Sequence, residues 1–114
     1  MKSVARAEAK YVRISSRKMK PIANMIRGKN AKEAKAILKF TPRKGARIFL
    51  KVLESAIANA ENNHHMDVDK LIVAEIYANQ GPVMKRFRAG SHGRANSILK
   101  RSSHVGVAVS ERES

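Results

Sequence analysis

The side chains that could do covalent or metal chemistry are few, and their spacing is wrong for it. His64 and His65 are adjacent and are followed by Asp67 and Asp69. Imidazoles and carboxylates ligate metals, but adjacent histidines lack the spacing of metal sites and no second cluster completes a shell. The segment reads as a polar turn, with no metal. Glu54 and Glu61 stand seven residues apart on a helical stretch, which makes them solvent-facing charges rather than an acid/base pair. The absence of cysteine excludes disulfides, thiolate metal sites and thiol nucleophiles. No phosphate-binding glycine loop, dinucleotide fingerprint or nucleophile elbow is found. The expectation is no enzyme and no cofactor.

The chemistry that is present is charge. The 114 residues carry 24 Lys+Arg against 9 Asp+Glu, a net charge of +15. Such a charge repels itself in a small folded domain, and a polyanion removes the repulsion. From 76 to 110 there is no carboxylate, while Lys85, Arg86, Arg88, Arg94, Lys100 and Arg101 fall in that span. Ordinary surfaces mix signs. Arginine suits phosphate because its planar fork binds two oxygens at once, and Gly90 and Gly93 let a backbone come close to a crowded partner. The first half is also basic. Arg13, Arg17, Lys18, Lys20, Arg27 and Lys29 are followed by Lys32, Lys35, Lys39, Arg43, Lys44, Arg47 and Lys51, opposed only by Glu8 and Glu33. Lys32, Lys35 and Lys39 read equally well as solvated helix faces.

Aromatic residues make up only 4% of the chain. Readers of single strands stack bases on exposed aromatics. With Phe49 and Tyr77 assigned to the core, recognition is expected to rest on backbone and shape. His92 and His104 are isolated in sequence, and contact with RNA or solvent is expected of both. A membrane partner is not expected. The longest apolar run, 71–74, is far short of the ~20 residues that span a bilayer, and the first residues lack the apolar region of a secretory signal.

These residues are positioned by one domain with no repeat or linker. A strand is expected over 4–14. Ser15 or Ser16 caps a first helix whose stripe is Met19, Ile22, Ala23 and Ile26 and whose stop is Gly28. Pro21 inside this pattern predicts a kink or a late start. Asn30, with Glu33 three residues on, opens a second helix bearing Ala34, Ile37 and Leu38. Thr41 as cap and Pro42 at the first helical position begin a third. Its face is Ala46, Phe49, Leu50, Leu53, Ala56, Ile57 and Ala60, and Asn62 and Asn63 close it. The β-branched stretch 71–78 predicts a strand. A last strand over 98–109 completes a hairpin about a turn through Gly90, Ser91, His92 and Gly93. Arms of about a dozen residues reach roughly 40 Å. The hairpin has few large apolar residues and needs something around it to be ordered.

Three segments resemble one family. GPVMKRFRAGSHGRANSILKRSSHVGVAVSE (81–111) is similar to the C-terminal hairpin of bacterial-type large-subunit ribosomal protein twenty-two, the universal uL22 family. VRISSRKMKPIANMIRGK (12–29) is similar to its first helix and flanks, and VLESAIANAENN (52–63) to the end of its third. The resemblance covers nearly the whole chain. It implies an α+β fold: three helices packed on a small three-stranded antiparallel sheet, with a long protruding β-hairpin. It implies one ribosomal-protein domain over 1–114, with an extended basic arm over 79–103. It also implies a structural constituent of the large ribosomal subunit that binds the rRNA and assists its assembly. The globular part would sit near the peptide exit, and the hairpin would line the nascent-peptide tunnel, where changes in the family are associated with macrolide resistance.

By position, the resemblance makes Arg13, Arg17, Lys18, Arg27, Lys29, Lys85, Arg86, Arg88, Arg94, Lys100, Arg101, Ser102 and His104 rRNA-binding residues. It makes Met84, Lys85, Arg86, Arg88, Gly90, Ser91, His92, Gly93 and Arg94 the tunnel lining. The implied partners are large-subunit rRNA, neighbouring large-subunit proteins and the nascent peptide. No membrane partner and no homo-oligomer are implied, and the location is the ribosome in the cytoplasm. Two positions depart from the family pattern. Ala89-Gly90 stand where its tip usually carries Pro-Arg, which frees the turn and removes a cation, with Arg88 a substitute charge. Pro21 replaces a more usual apolar residue.

Composition alone gives a nucleic-acid binder with a basic arm. An architectural DNA-binding protein with a β-arm is the competing reading, although 89–93 offers no apolar wedge.

Overall fold

A computed structural model of the chain describes residues 4–80, 84–89, 95–100 and 102–111, the segments 84–89 and 95–100 by their backbone. The order is β1 (Val4–Val12), α1 (Ser16–Ile26), α2 (Ala31–Phe40), α3 (Lys44–His64), a 3-10 turn (Val68–Lys70), β2 (Leu71–Gln80), β3 (Met84–Ala89), β4 (Ala95–Lys100) and β5 (Ser103–Glu111). The sheet is antiparallel in the order β1-β5-β2, and β3 and β4 form a separate antiparallel pair. The expected α+β architecture, three helices on a three-stranded sheet, is what the chain adopts.

β5 occupies the centre and is buried along almost its whole length. Its alternation sends Val105, Val107 and Val109 into the core, with Met19, Ile22, Ile26, Leu38, Phe49, Leu53, Leu71 and Val73. α3 packs on β1 and β5, and α1 on β2. Of the expected α3 face, Ala46, Phe49, Leu53, Ala56 and Ala60 are buried, while Leu50 and Ile57 pack at its edge.

Both sheet edges are protected. The Asn59 side chain donates to the Arg6 carbonyl on β1. On β2, Val73 exchanges backbone hydrogen bonds with Gly28 and Lys29, and Arg27 donates to the Ile76 carbonyl. Unpaired edge groups invite pairing with other chains, and these contacts blunt them.

Four expectations need correction. The last strand, expected as one run, is two: β4 pairs with β3, and β5 enters the main sheet. The small and β-branched residues after Ser103 can be buried on both faces, whereas the basic stretch before it cannot. Thr41 and Pro42 do not start α3. The Thr41 hydroxyl donates to the Ile37 carbonyl at 2.7 Å, so it closes α2, and Arg43 becomes the residue before α3. Pro21 does not delay α1, which begins at Ser16 and continues to Ile26. Pro21 has no N–H for the Arg17 carbonyl one turn back, but the burial of Met19, Ile22, Ala23 and Ile26 holds the helix. Finally, α3 runs past Asn62 and Asn63 to His64. His65 is left-handed (φ 53°), and the Met66 N–H bonds back to Ala60, as at a helix end closed by a left-handed residue.

The Cα radius of gyration is 17.3 Å and the long axis 67 Å. A compact domain of this length has a radius near 13 Å.

Candidate nucleic-acid interface

The loop after β1, the first turns of α1 and the start of α3 enclose a cleft of about 1130 Å³. Arg13, Arg17, Lys18, Arg43 and Lys44 line it, with Ser15, Pro21 and Gly45, and among the described residues no carboxylate does. All five basic residues are exposed. Among the described residues the ion pairs are Arg6–Glu75 and Lys32–Asp69, so none of the five is held by one.

Gly45 sets how closely the helices meet. A Cβ there would lie 2.7 Å from both Ile22 Cδ1 and Met19 Sδ. The start of α3 therefore seats directly on the buried face of α1.

Both helix N-termini are left open. Neither Ser15 nor Arg43 makes a side-chain capping bond, and neither helix has an acidic residue in its first turn. The first backbone N–H groups of a helix lack internal partners and carry partial positive charge. Basic side chains beside them cost stability, since anions and not cations are favoured there. α2 follows the ordinary pattern instead: the Asn30 side chain accepts from the Lys32 N–H, and Glu33 is in the first turn. An anion in the cleft would receive backbone N–H bonds, two helix dipoles and cationic side chains together.

The other expected site residues are spread out. Arg27 lies at the far end of α1, where its guanidinium bonds Asn24 and the Ile76 carbonyl. Lys29 is exposed in the loop clamped to β2. His104 is half-buried; its Nδ1 accepts the Tyr11 N–H at 3.1 Å, which leaves Nε2–H as the ring's donor. The Tyr11 and His104 rings form a T-shaped pair, their centroids 4.9 Å apart. Ser102 is buried and has a partner within the fold. Ser103 is buried and donates to the Ile14 carbonyl. Met84, Lys85, Arg86 and Arg88 fall on β3 and Lys100 on β4, with Met84 opposite Lys100 and Arg86 opposite Ile98. Gly90, Ser91, His92, Gly93, Arg94 and Arg101 lie outside the described residues.

The polar turn 64–69 has other employment. His65 closes α3, Asp67 accepts the Asp69 N–H, and Asp69 pairs with Lys32. That pairing, first through the hydrogen bond and then through charge, holds the Asp69 carboxyl below and the Lys32 amine above their ordinary values. Lys32 is thus an exposed surface partner of Asp69.

Arg43 and Lys44 were absent from the expected site although both are basic. Their place beside Arg17 and Lys18 follows from the packing of α3 on α1. The one sequence signal was Gly45, the small residue that permits that crossing.

An α+β domain with an uncapped, carboxylate-free basic cleft and a separate basic hairpin belongs to the class of polyanion-binding structural proteins. The family model described as "Ribosomal protein L22p/L17e" matches residues 7–110. The chain is 62% identical over 109 residues to the "Large ribosomal subunit protein uL22" of Finegoldia magna, covering 96% of this chain and 97% of that one. It is 59% identical to the protein of the same name from Clostridium novyi (108 residues; 95% and 97% of the two chains) and to that of Clostridioides difficile (109 residues; 96% and 98%). The chain belongs to the ribosomal protein L22p/L17e family, which is structural and non-enzymatic.

Proposed function

We propose that the chain is a structural constituent of the large ribosomal subunit that grips rRNA with its globular end and extends its hairpin into the nascent-peptide tunnel. Membership of the family supports the ribosomal role. The observation that carries the binding mode is the cleft, where two uncapped helix N-termini and five basic side chains converge without a carboxylate.

In this reading residues 1–114 are one domain and 79–103 its arm. Arg13, Arg17 and Lys18 hold phosphates in the cleft, joined by Arg43 and Lys44. Arg27, Lys29, Lys100, Arg101, Ser102 and His104 form further rRNA contacts. Met84, Lys85, Arg86, Arg88, Gly90, Ser91, His92, Gly93 and Arg94 line the tunnel. The partners are rRNA, adjoining large-subunit proteins and the emerging peptide, in the cytoplasm and without a second copy of this chain. Neutralising phosphates during assembly lets RNA segments approach each other.

Sedimentation of a tagged copy from lysate, followed by a high-salt wash, tests this. Co-migration with the large subunit at about one copy each, surviving the wash, is expected. A protein that stays at the top of the gradient, or follows DNA and leaves on DNase treatment, overturns it.

A further inference from the structure

Phe40, at the end of α2, is 86% exposed. Three of the other aromatics are engaged: Phe49 is buried, Tyr77 bonds Glu8, and Tyr11 meets His104 edge-on. The buried stripe of α2 is Ala31, Ala34 and Leu38, and Phe40 falls off it. A helical side chain leans toward the position one turn back. Here that is Ala36, itself exposed, so no side chain larger than a methyl can cover the ring from that position. Single hydrophobic residues scattered on a surface need no explanation by themselves. An almost bare phenyl ring with Lys39 before it and Arg43 and Lys44 just after it is a different case. Three peptide links separate Phe40 from Arg43, at most about 11 Å between their Cα atoms, and Arg43 lines the basic cleft. Glu33, the other charge sign on α2, is two turns away.

We infer that Phe40 is a stacking platform for an unpaired nucleobase whose neighbouring phosphates lie in the cleft. This rests on the RNA-binding reading above and adds a base contact to a surface otherwise built for backbone. Aromatic faces accept any base, so the contact adds affinity and places the strand without reading sequence. An exposed ring flanked by cations suits a base better than a protein pocket, because the cations beside it complement the strand's phosphates.

The test measures binding of Phe40→Leu and Phe40→Trp to a transcript of large-subunit rRNA over a series of salt concentrations, with thermal unfolding as a check on the fold. Leucine keeps apolar bulk and loses the π face, whereas tryptophan enlarges it. Base stacking predicts that Phe40→Leu loses roughly 5- to 150-fold in affinity, that Phe40→Trp binds as well as or better than the parent, and that the salt slope is unchanged. Parental affinity for Phe40→Leu overturns the inference. So does the opposite order, with leucine tolerated and tryptophan rejected on incorporation into subunits, which marks a protein pocket. Failure of the parent chain to bind the transcript would overturn the functional reading itself.

Discussion

The ring of Tyr77 lies across Gly106, so near that a Cβ on that glycine would fall closer than 3.0 Å to Cε1, Cζ and the hydroxyl oxygen. Gly106 stands between Tyr77 on β2 and Glu8 on β1, and the Tyr77 hydroxyl reaches across it to donate to Glu8 at 2.9 Å. One row further, Arg6 and Glu75 pair across Ala108. The small residues of β5 let the outer strands tie themselves together over the sheet face away from the helices.

Gly106→Ala should therefore force the tyrosine aside and break its bond to Glu8. The expected loss is about 1–3 kcal/mol, the range for overpacking. Urea denaturation measures it. In a Tyr77→Ser background the same substitution should cost much less, and additive effects would show that the two residues do not meet.

The same hydroxyl makes stability sensitive to alkali. Its bond to Glu8, and secondarily burial, raise the Tyr77 pKa above the usual value. A raised folded-state pKa contributes stability that is fully present below the unfolded value near 10 and is lost as pH climbs through the folded one. The parent should exceed Tyr77→Phe by about 1 kcal/mol at neutral pH, and the gap should close above about pH 10. The comparison must be between the two proteins, which share every other side chain. A gap independent of pH would count against the bond.

At the cleft, Gly45→Ala sets two effects against each other. Alanine improves helix propensity by about 0.5–1 kcal/mol, but its Cβ lies 2.7 Å from Ile22 and Met19. Overpacking at about 1–3 kcal/mol should win, for a net loss near 1 kcal/mol. Met19→Ala removes one of the two close approaches and leaves that of Ile22, so Gly45→Ala added to that variant should cost less than it does in the parent, as read by thermal denaturation.

The helices were legible because their apolar stripes are long and periodic, and the face running from Ala46 to Ala60 needed only its edges adjusted. The division of the last strand was not legible, because Ile98 and Leu99 look as strand-like as Val105, and only the pairing partner separates them. Thr41 was ambiguous for a local reason: its hydroxyl can cap the next helix or close the previous one, and its extended backbone (φ −87°, ψ 114°) places it within reach of Ile37. The site was half legible. Arg13, Arg17 and Lys18 are close in sequence, whereas Arg43 and Lys44 join them only through tertiary packing. Phe40 was hidden by an argument from aromatic content, since a count says nothing about which ring is left bare.

Lys44 is the first helical residue of α3, at a position where an acidic side chain is favoured. Lys44→Glu replaces an unfavourable charge–dipole contact with a favourable one, and it removes positive charge from a crowded basic cleft. The free protein should gain about 1 kcal/mol, read as a higher denaturation midpoint. RNA binding should move the other way. Losing one phosphate contact lowers the slope of log affinity against log salt by about 0.7–0.9, and the introduced carboxylate repels the strand as well. Opposite signs in the two measurements are what an anion site retained at the expense of stability requires. A variant that binds RNA like the parent would show that Lys44 faces solvent in the complex, and one that is less stable would show that the α3 terminus is not open as described.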